Sequence, residues 1–262
     1  MSLMRKNQQA ARVAPVGNDA PGERIGAGAV VLGSMPAAPR GLLGGSQLGT
    51  FLSASLSEDL AALSSIASVE RKIDLKRDTL IPKYRDYAAR LMADSQRHEL
   101  LGYYLVWCLD AGCMEEGLRV AAWAMEQGLP LPERFRASVP LFVASAVVAW
   151  AERQHDAGHD FEPYLSQAQS LVEPGGEVPD KVRAGFHRLF GLRAEQGGDL
   201  TTAERELARA LDLGAKVKTA LDGVRKRLTR EGGQAAPDTE ESNAAAPGAA
   251  PEEPAGGDGA GS

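Results

Sequence analysis

The chain has 262 residues, 44% of them hydrophobic, 24% charged and 5% aromatic, with two cysteines and a formal net charge of -6. The longest strongly apolar run, Val139 to Ala151, falls short of the roughly 18 residues a membrane span needs and carries Pro140 and Ser145 inside it. Arg5, Lys6 and Arg12 near the N-terminus are not followed by the apolar stretch of a secretory signal, and Cys108 and Cys113 do not make a disulfide framework, so a soluble protein of a reducing cytoplasm is expected.

Charge and aromatic content divide the chain. Residues 232–262 hold six acids and no base, so the remaining 29 acids balance all 29 bases of residues 1–231. Ala, Gly or Pro fill 20 of those 31 tail positions, a composition that cannot bury enough apolar surface to offset its ordering entropy, and the tail is predicted to be disordered. Residues 1–54, rich in Gly, Ala and Pro, are predicted to be a flexible arm. Of 14 aromatic residues, 13 lie between Tyr84 and Phe190, which places the core there.

Between arm and tail the apolar residues recur at helical spacing and alternating β-branched runs are missing, which predicts an all-α fold. The first helix is expected to start near Ser55–Glu58, where Ser three residues before Glu fits a capping box, and to run on through Leu60, Leu63, Ile66 and Ile73. Pro82 is expected to break or kink it, because Pro lacks the ladder donor and disfavours helix at Ile81. A second stretch with Tyr84, Tyr87 and Leu91 ends before Ser95 and completes a charged segment, 55–95, suited to DNA binding or oligomerisation. Residues 96–230 then read as tetratricopeptide-like helix-turn-helix repeats. Aligning Gly112 with Gly198 brings Gly117 onto Ala203, Ala122 onto Ala208, Met125 onto Leu211 and Gly128 onto Gly214, with a weaker middle copy turning at Gly158. The units span roughly 97–128, 133–173 and 180–214, and Pro140 either kinks the helix opening the second unit or marks its start. A last helix, Lys216 to Arg230, holds six bases against Asp222.

Catalytic signatures are sparse. His155 and His159, four apart with Asp156 and Asp160 beside them, have a spacing that a divalent metal can use on one helix face. Gly158 just before His159 favours a helix end instead, so a polar turn is the competing reading, and no metal ligand set is assigned. Cys108 is expected to pack in a helix and Cys113 to lie in a turn. No GxxxxGK[ST] loop occurs, so no ATPase activity is expected, and no GxSxG nucleophile is present. The stronger signal is basic. Arg71, Lys72, Lys76, Arg77, Lys83 and Arg85 in the charged segment, and Lys216, Lys218, Arg225, Lys226 and Arg227 in the last helix, are candidates to contact phosphates. In both places a solvated helix with internal ion pairs is the competing reading.

Several stretches, in this order, resemble one family. They are Lys76-Arg77-Asp78-Thr79-Leu80-Ile81-Pro82-Lys83-Tyr84-Arg85-Asp86-Tyr87, then Leu109-Asp110-Ala111-Gly112, then Gly117-Leu118 through Ala124 to Gly128-Leu129. Further on come Pro179-Asp180-Lys181-Val182-Arg183-Ala184, Gly191-Leu192, Gly197-Gly198-Asp199 and Ala208-Arg209-Ala210-Leu211-Asp212-Leu213. Over about residues 56–228 the chain is similar to the small terminase subunit of temperate tailed phages of the GpM type, often labelled the terminase endonuclease subunit. The resemblance implies recognition of double-stranded phage DNA near its cohesive-end site, homo-oligomeric assembly, and delivery of the DNA to the large ATPase subunit. In that family the C-terminal extension is expected to be basic, whereas this tail is acidic. No cofactor is expected in this chain, with Mg required only if the chain is itself a nuclease. Two alternatives stay open: a protein-interaction scaffold that does not bind DNA, and a metal nuclease centred on His155 and His159 with Asp156 or Asp160.

Overall fold

The computed structural model describes residues 45–175 and 178–234. Among these residues every regular element is helical and no strand occurs, as the apolar periodicity predicts. The predicted tail beyond Gln234, and the part of the predicted arm before Gly45, lie outside the described residues. The chain divides into two compact units, residues 1–72 and 73–262.

In the first unit, helix α1 runs from Gly45 to Ser65. It starts ten residues before Ser55, so residues 45–54 are helix rather than arm, and the Ser55–Glu58 pair lies mid-helix instead of capping it. Leu48, Leu52, Leu56 and Leu63 are buried along one stripe, and Asp59 shares it at 2% exposure. The helix does not run through to Ile73. Ser64 and Ser65 donate their hydroxyls to the carbonyls of Ala61 and Ala62, at 3.2 and 2.7 Å, which offers the backbone an alternative to the next helical turn. After a gap at residues 66–68, Ser68 Oγ accepts the Arg71 N–H, as a helix-capping serine does, and α2 spans Val69–Leu75.

In the second unit the helix passes through Pro82 without breaking. Residues Lys76–Leu80 form a π-helical stretch that leads directly into α3, Ile81–Ala93, with Pro82 in its first turn. Ile81 donates to the carbonyl of Lys76, five residues back, and keeps helical angles of φ -62° and ψ -51°. The widened turn lies where a proline removes a donor and crowds the carbonyl four residues before it. The helix ends at Asp94, as expected before Ser95.

Three helix pairs follow: α4 (Glu99–Ala111) with α5 (Met114–Glu126), α6 (Val139–Asp156) with α7 (Tyr164–Val172), and α8 (Asp180–Gln196) with α9 (Leu200–Asp212). The pairs turn at Gly112, Gly158 and Gly198, whose φ values of +81°, +74° and +81° are costly for any residue with a Cβ. These are the three turns the repeat alignment picks out. A close approach also falls at Gly117, one of the small residues it aligns, where a Cβ would lie 2.6 Å from Leu109 Cδ2. Gly191, which the alignment does not pick out, is a second, with a Cβ there 2.7 Å from Leu207 Cγ. Pro140 marks a start, since it sits in the first turn of α6 behind Ser138, whose hydroxyl accepts from the Leu141 N–H.

The core around α3, α4 and α5 is aromatic. Tyr84, Tyr104 and Trp107 are almost fully buried, and the rings of Tyr84 and Trp107 lie 5.8 Å apart. The C-terminal core is aliphatic instead, with Leu200, Ala203, Leu207 and Ala210 of α9 meeting Val217, Leu221 and Val224. The last two belong to α10, Lys218–Gln234, which packs against α9.

Candidate nucleic-acid interface

Each basic segment is set by the apolar stripe that anchors its helix. On α10 the stripe continues from Val217 just before the helix through Leu221 and Val224, with Leu228 half-buried beside it. At about 100° per residue this leaves Lys226 and Arg230, one turn apart, on the opposite side of the helix. Both are exposed, as are Lys218 at the start of α10 and Lys216 in the preceding turn. Among the described residues none of these four makes an ion pair. On the flanks, Arg225 donates to Glu204 of α9 at 2.9 Å and Arg227 to Glu195 of α8 at 3.0 Å. The helix is thus tied down along its sides by two of its arginines, while Lys226 and Arg230 face outward with the exposed Asp222 one turn before Lys226.

The charged segment is more heavily paired. Arg71 is exposed and Lys72 half-buried on α2, both in the first unit. In the second unit, Lys76 is only 13% exposed and donates to Asp110 at 2.6 Å. Arg77 bridges Asp74 one turn away at 3.3 Å, and the Lys83 ammonium lies 5.3 Å from the centre of the Tyr84 ring. Arg85 donates to Glu116 at 3.2 Å, and Glu116 also accepts from the Tyr104 hydroxyl at 2.7 Å and pairs with Arg119 at 3.5 Å. The Glu116 carboxylate beside it holds the Arg85 guanidinium above its ordinary pKa, and burial, more than the hydrogen bond to Glu116, raises that of Tyr104. This Glu116 cluster joins α3, α4 and α5 and was not apparent from the sequence, because its members are 31 and 12 residues apart.

The histidine cluster is a turn between helices. His155 sits in the last turn of α6 with its ring edge toward Phe161, and the left-handed Gly158 ends the helix before His159, so the two histidines do not share a helix face. Asp160 accepts two hydrogen bonds from Arg193, at 3.0 and 3.1 Å, and two more from the N–H groups of Phe161 and Glu162. The Arg193 guanidinium, and then these amides, hold its carboxyl down at about 2. A carboxylate whose lone pairs are already occupied by a fixed cation and two amides does not fit a metal centre. Among the described residues no group of three His, Cys, Asp or Glu side chains gathers to hold an ion. Cys108 packs inside α4, where burial pushes its thiol up, and Cys113 lies in the turn before α5, both as expected. Among the described residues no helix is long and apolar enough to cross a membrane.

A family model described as the phage small terminase subunit matches residues 53–181. The chain is 29% identical over 177 residues to the "Terminase, endonuclease subunit" of Escherichia phage P2, a match covering 66% of this chain and 71% of that protein. It is 27% identical over 151 residues to the "Probable terminase, endonuclease subunit" of Haemophilus phage HP1, covering 56% of this chain and 54% of the relative, so this match spans about half the length of the Haemophilus protein. No solved structure matches the chain. Over residues 53–181 the chain is thus similar to the phage small terminase subunit family.

Proposed function

We propose that this protein is the DNA-recognising subunit of a phage terminase, which binds double-stranded phage DNA, assembles with copies of itself and delivers the DNA to the large ATPase subunit in the host cytoplasm. The observation that carries this reading is the outward face of α10, where Lys226 and Arg230, with Lys216 and Lys218 toward the other end, are exposed and make no ion pair among the described residues. Such a row contacts phosphates and positions a duplex without reading its bases. Arg225 and Arg227 lie at the edges of that face, Arg71 and Lys72 of the first unit are further candidates, and in the second unit Arg77 and Lys83 are a second candidate contact. Lys76 and Arg85 join it only by exchanging a carboxylate for a phosphate, an exchange that surface pairs of about 0–1 kcal/mol permit. The helix pairs supply the surfaces for neighbouring subunits and for the large subunit.

The relatives' names include an endonuclease label, but the His155–Asp160 turn does not supply a metal centre, and no cleavage step is assigned to it. The test is duplex binding by the full chain and by a Lys226→Gln/Arg230→Gln variant across a salt series. The variant should bind every sequence more weakly, and its salt slope should fall by about 1.8, or about 0.9 per lost phosphate contact. An unchanged slope would remove α10 from the interface.

A further inference from the structure

We propose that the acidic segment following α10 docks on the outward face of that helix and competes there with nucleic acid, so that the chain carries its own competitor for the DNA site. The proposal rests on the phosphate-binding reading of α10 given above. The bases near α10 form two groups, Lys216 and Lys218 at its start and Arg225 to Arg230 toward its end, with Lys226 and Arg230 outward and outside any ion pair among the described residues. Beyond Gln234 the chain carries Asp238, Glu240 and Glu241, then Glu252, Glu253 and Asp258, and no Lys or Arg. Two acidic groups therefore follow two basic groups, in the order a fold-back needs. The nearer acids meet the nearer bases, and the farther acids meet the farther ones.

The chain is long enough for both contacts. Asp238 lies four residues past the end of α10, a reach of up to about 14 Å. Arg230 and Lys226 lie about 6 and 12 Å back along the axis, and Lys218 about 24 Å back. The second acidic group begins 18 residues past Gln234, so its span exceeds that last distance. A short tether holds the acids near α10 at an effective concentration on the order of millimolar, which no free acidic peptide matches at ordinary concentrations. Phosphates and carboxylates would then compete for the same ammonium and guanidinium donors, and both interactions weaken with salt.

The experiment uses the full chain and a variant with all six acids neutralised, Asp238→Asn, Glu240→Gln, Glu241→Gln, Glu252→Gln, Glu253→Gln and Asp258→Asn. Zero-length carbodiimide crosslinking, read by mass spectrometry, reports docking without DNA. Amide links from these acids should concentrate on Lys226, Lys218 and Lys216 at low salt and disappear near 1 M salt. Links spread equally over Lys83 and Lys181 would overturn the docking. On random duplex at low salt the neutralised variant should bind roughly five- to tenfold tighter, the order expected from a weak tethered competitor, and the gap should close as salt rises. The same six changes in a Lys226→Gln/Arg230→Gln background should give little tightening. Equal tightening there would mean general charge repulsion and would overturn the proposal. Links confined to the α10 lysines in a protein that binds no duplex, even when neutralised, would support docking while overturning the DNA reading beneath the competition.

Discussion

At Asp160, a carboxylate that sequence spacing places beside two histidines is held instead by Arg193 and two backbone amides. Because its pKa is lowered in the folded state, its contribution to stability is present above the ordinary carboxylate range and is lost as pH falls toward about 2. The pair is about half exposed, so the contribution is at most about 1 kcal/mol. Thermal melts should therefore show Asp160→Asn slightly less stable than the parent near pH 6, with the gap narrowing below about pH 4 and closing only as pH falls to about 2. His155→Ala should leave DNA binding unchanged in the same preparation, since His155 lies in the last turn of α6 and outside the basic faces. Glycines give a second test at this scale. Gly223 on α10 has nothing within 4 Å of a would-be Cβ, so Gly223→Ala should raise stability by about 0.5–1 kcal/mol through helix propensity. At Gly191 the same change meets Leu207 at its Cγ, Cδ2 and backbone nitrogen, and calorimetry should show a net loss of about 1–3 kcal/mol.

Helices were legible from the sequence wherever a local rule decided their ends. Gly112, Gly158 and Gly198 adopt left-handed angles that a glycine accepts cheaply, so the three turns could be placed by alignment. Ser138 and Pro140 fix the start of α6 by ordinary capping. The misses have equally local causes. Ser55 and Glu58 fit a capping box, but Leu48 and Leu52 extend the buried stripe upstream of them, and burial of that stripe outweighs the cap. Pro82 was expected to break or kink its helix, and a five-residue π-helical stretch absorbs it while the helix runs on. At this scale α10 is the element to challenge. Leu221, 1% exposed, belongs to the aliphatic cluster it shares with α9, so Leu221→Ala should cost about 2–5 kcal/mol in denaturant unfolding and weaken duplex binding as α10 loosens. For the charged segment, neutralising Arg71, Lys72, Lys76 and Arg77 together should weaken binding to all duplexes alike in a filter or anisotropy assay. A change confined to one sequence would contradict phosphate contact.

Across the whole molecule, the candidate site was only half legible, because free and committed bases look alike in sequence. Lys76 reaches Asp110 across 34 residues, Arg85 reaches Glu116 across 31, Arg225 reaches Glu204 across 21 and Arg227 reaches Glu195 across 32. Helical spacing reports neighbours three or four apart and nothing beyond them. Once those pairs are drawn, Lys216, Lys218, Lys226 and Arg230 are exposed and outside ion pairs at α10, as Arg71, Arg134, Arg136, Arg153, Lys181 and Arg209 are elsewhere among the described residues, and α10 lies past residue 181 where the family match ends. The DNA contact proposed on α10 therefore lies beyond the residues that the family model matches. The most direct test of the recognition role is binding of the purified full chain to phage end-site duplex and to random duplex, from low to physiological salt, with magnesium and a nicking readout in the same tubes. Tighter, salt-steep binding to end-site DNA without nicking is the predicted result. Absence of binding to either duplex, or nicking by this chain alone, would contradict it.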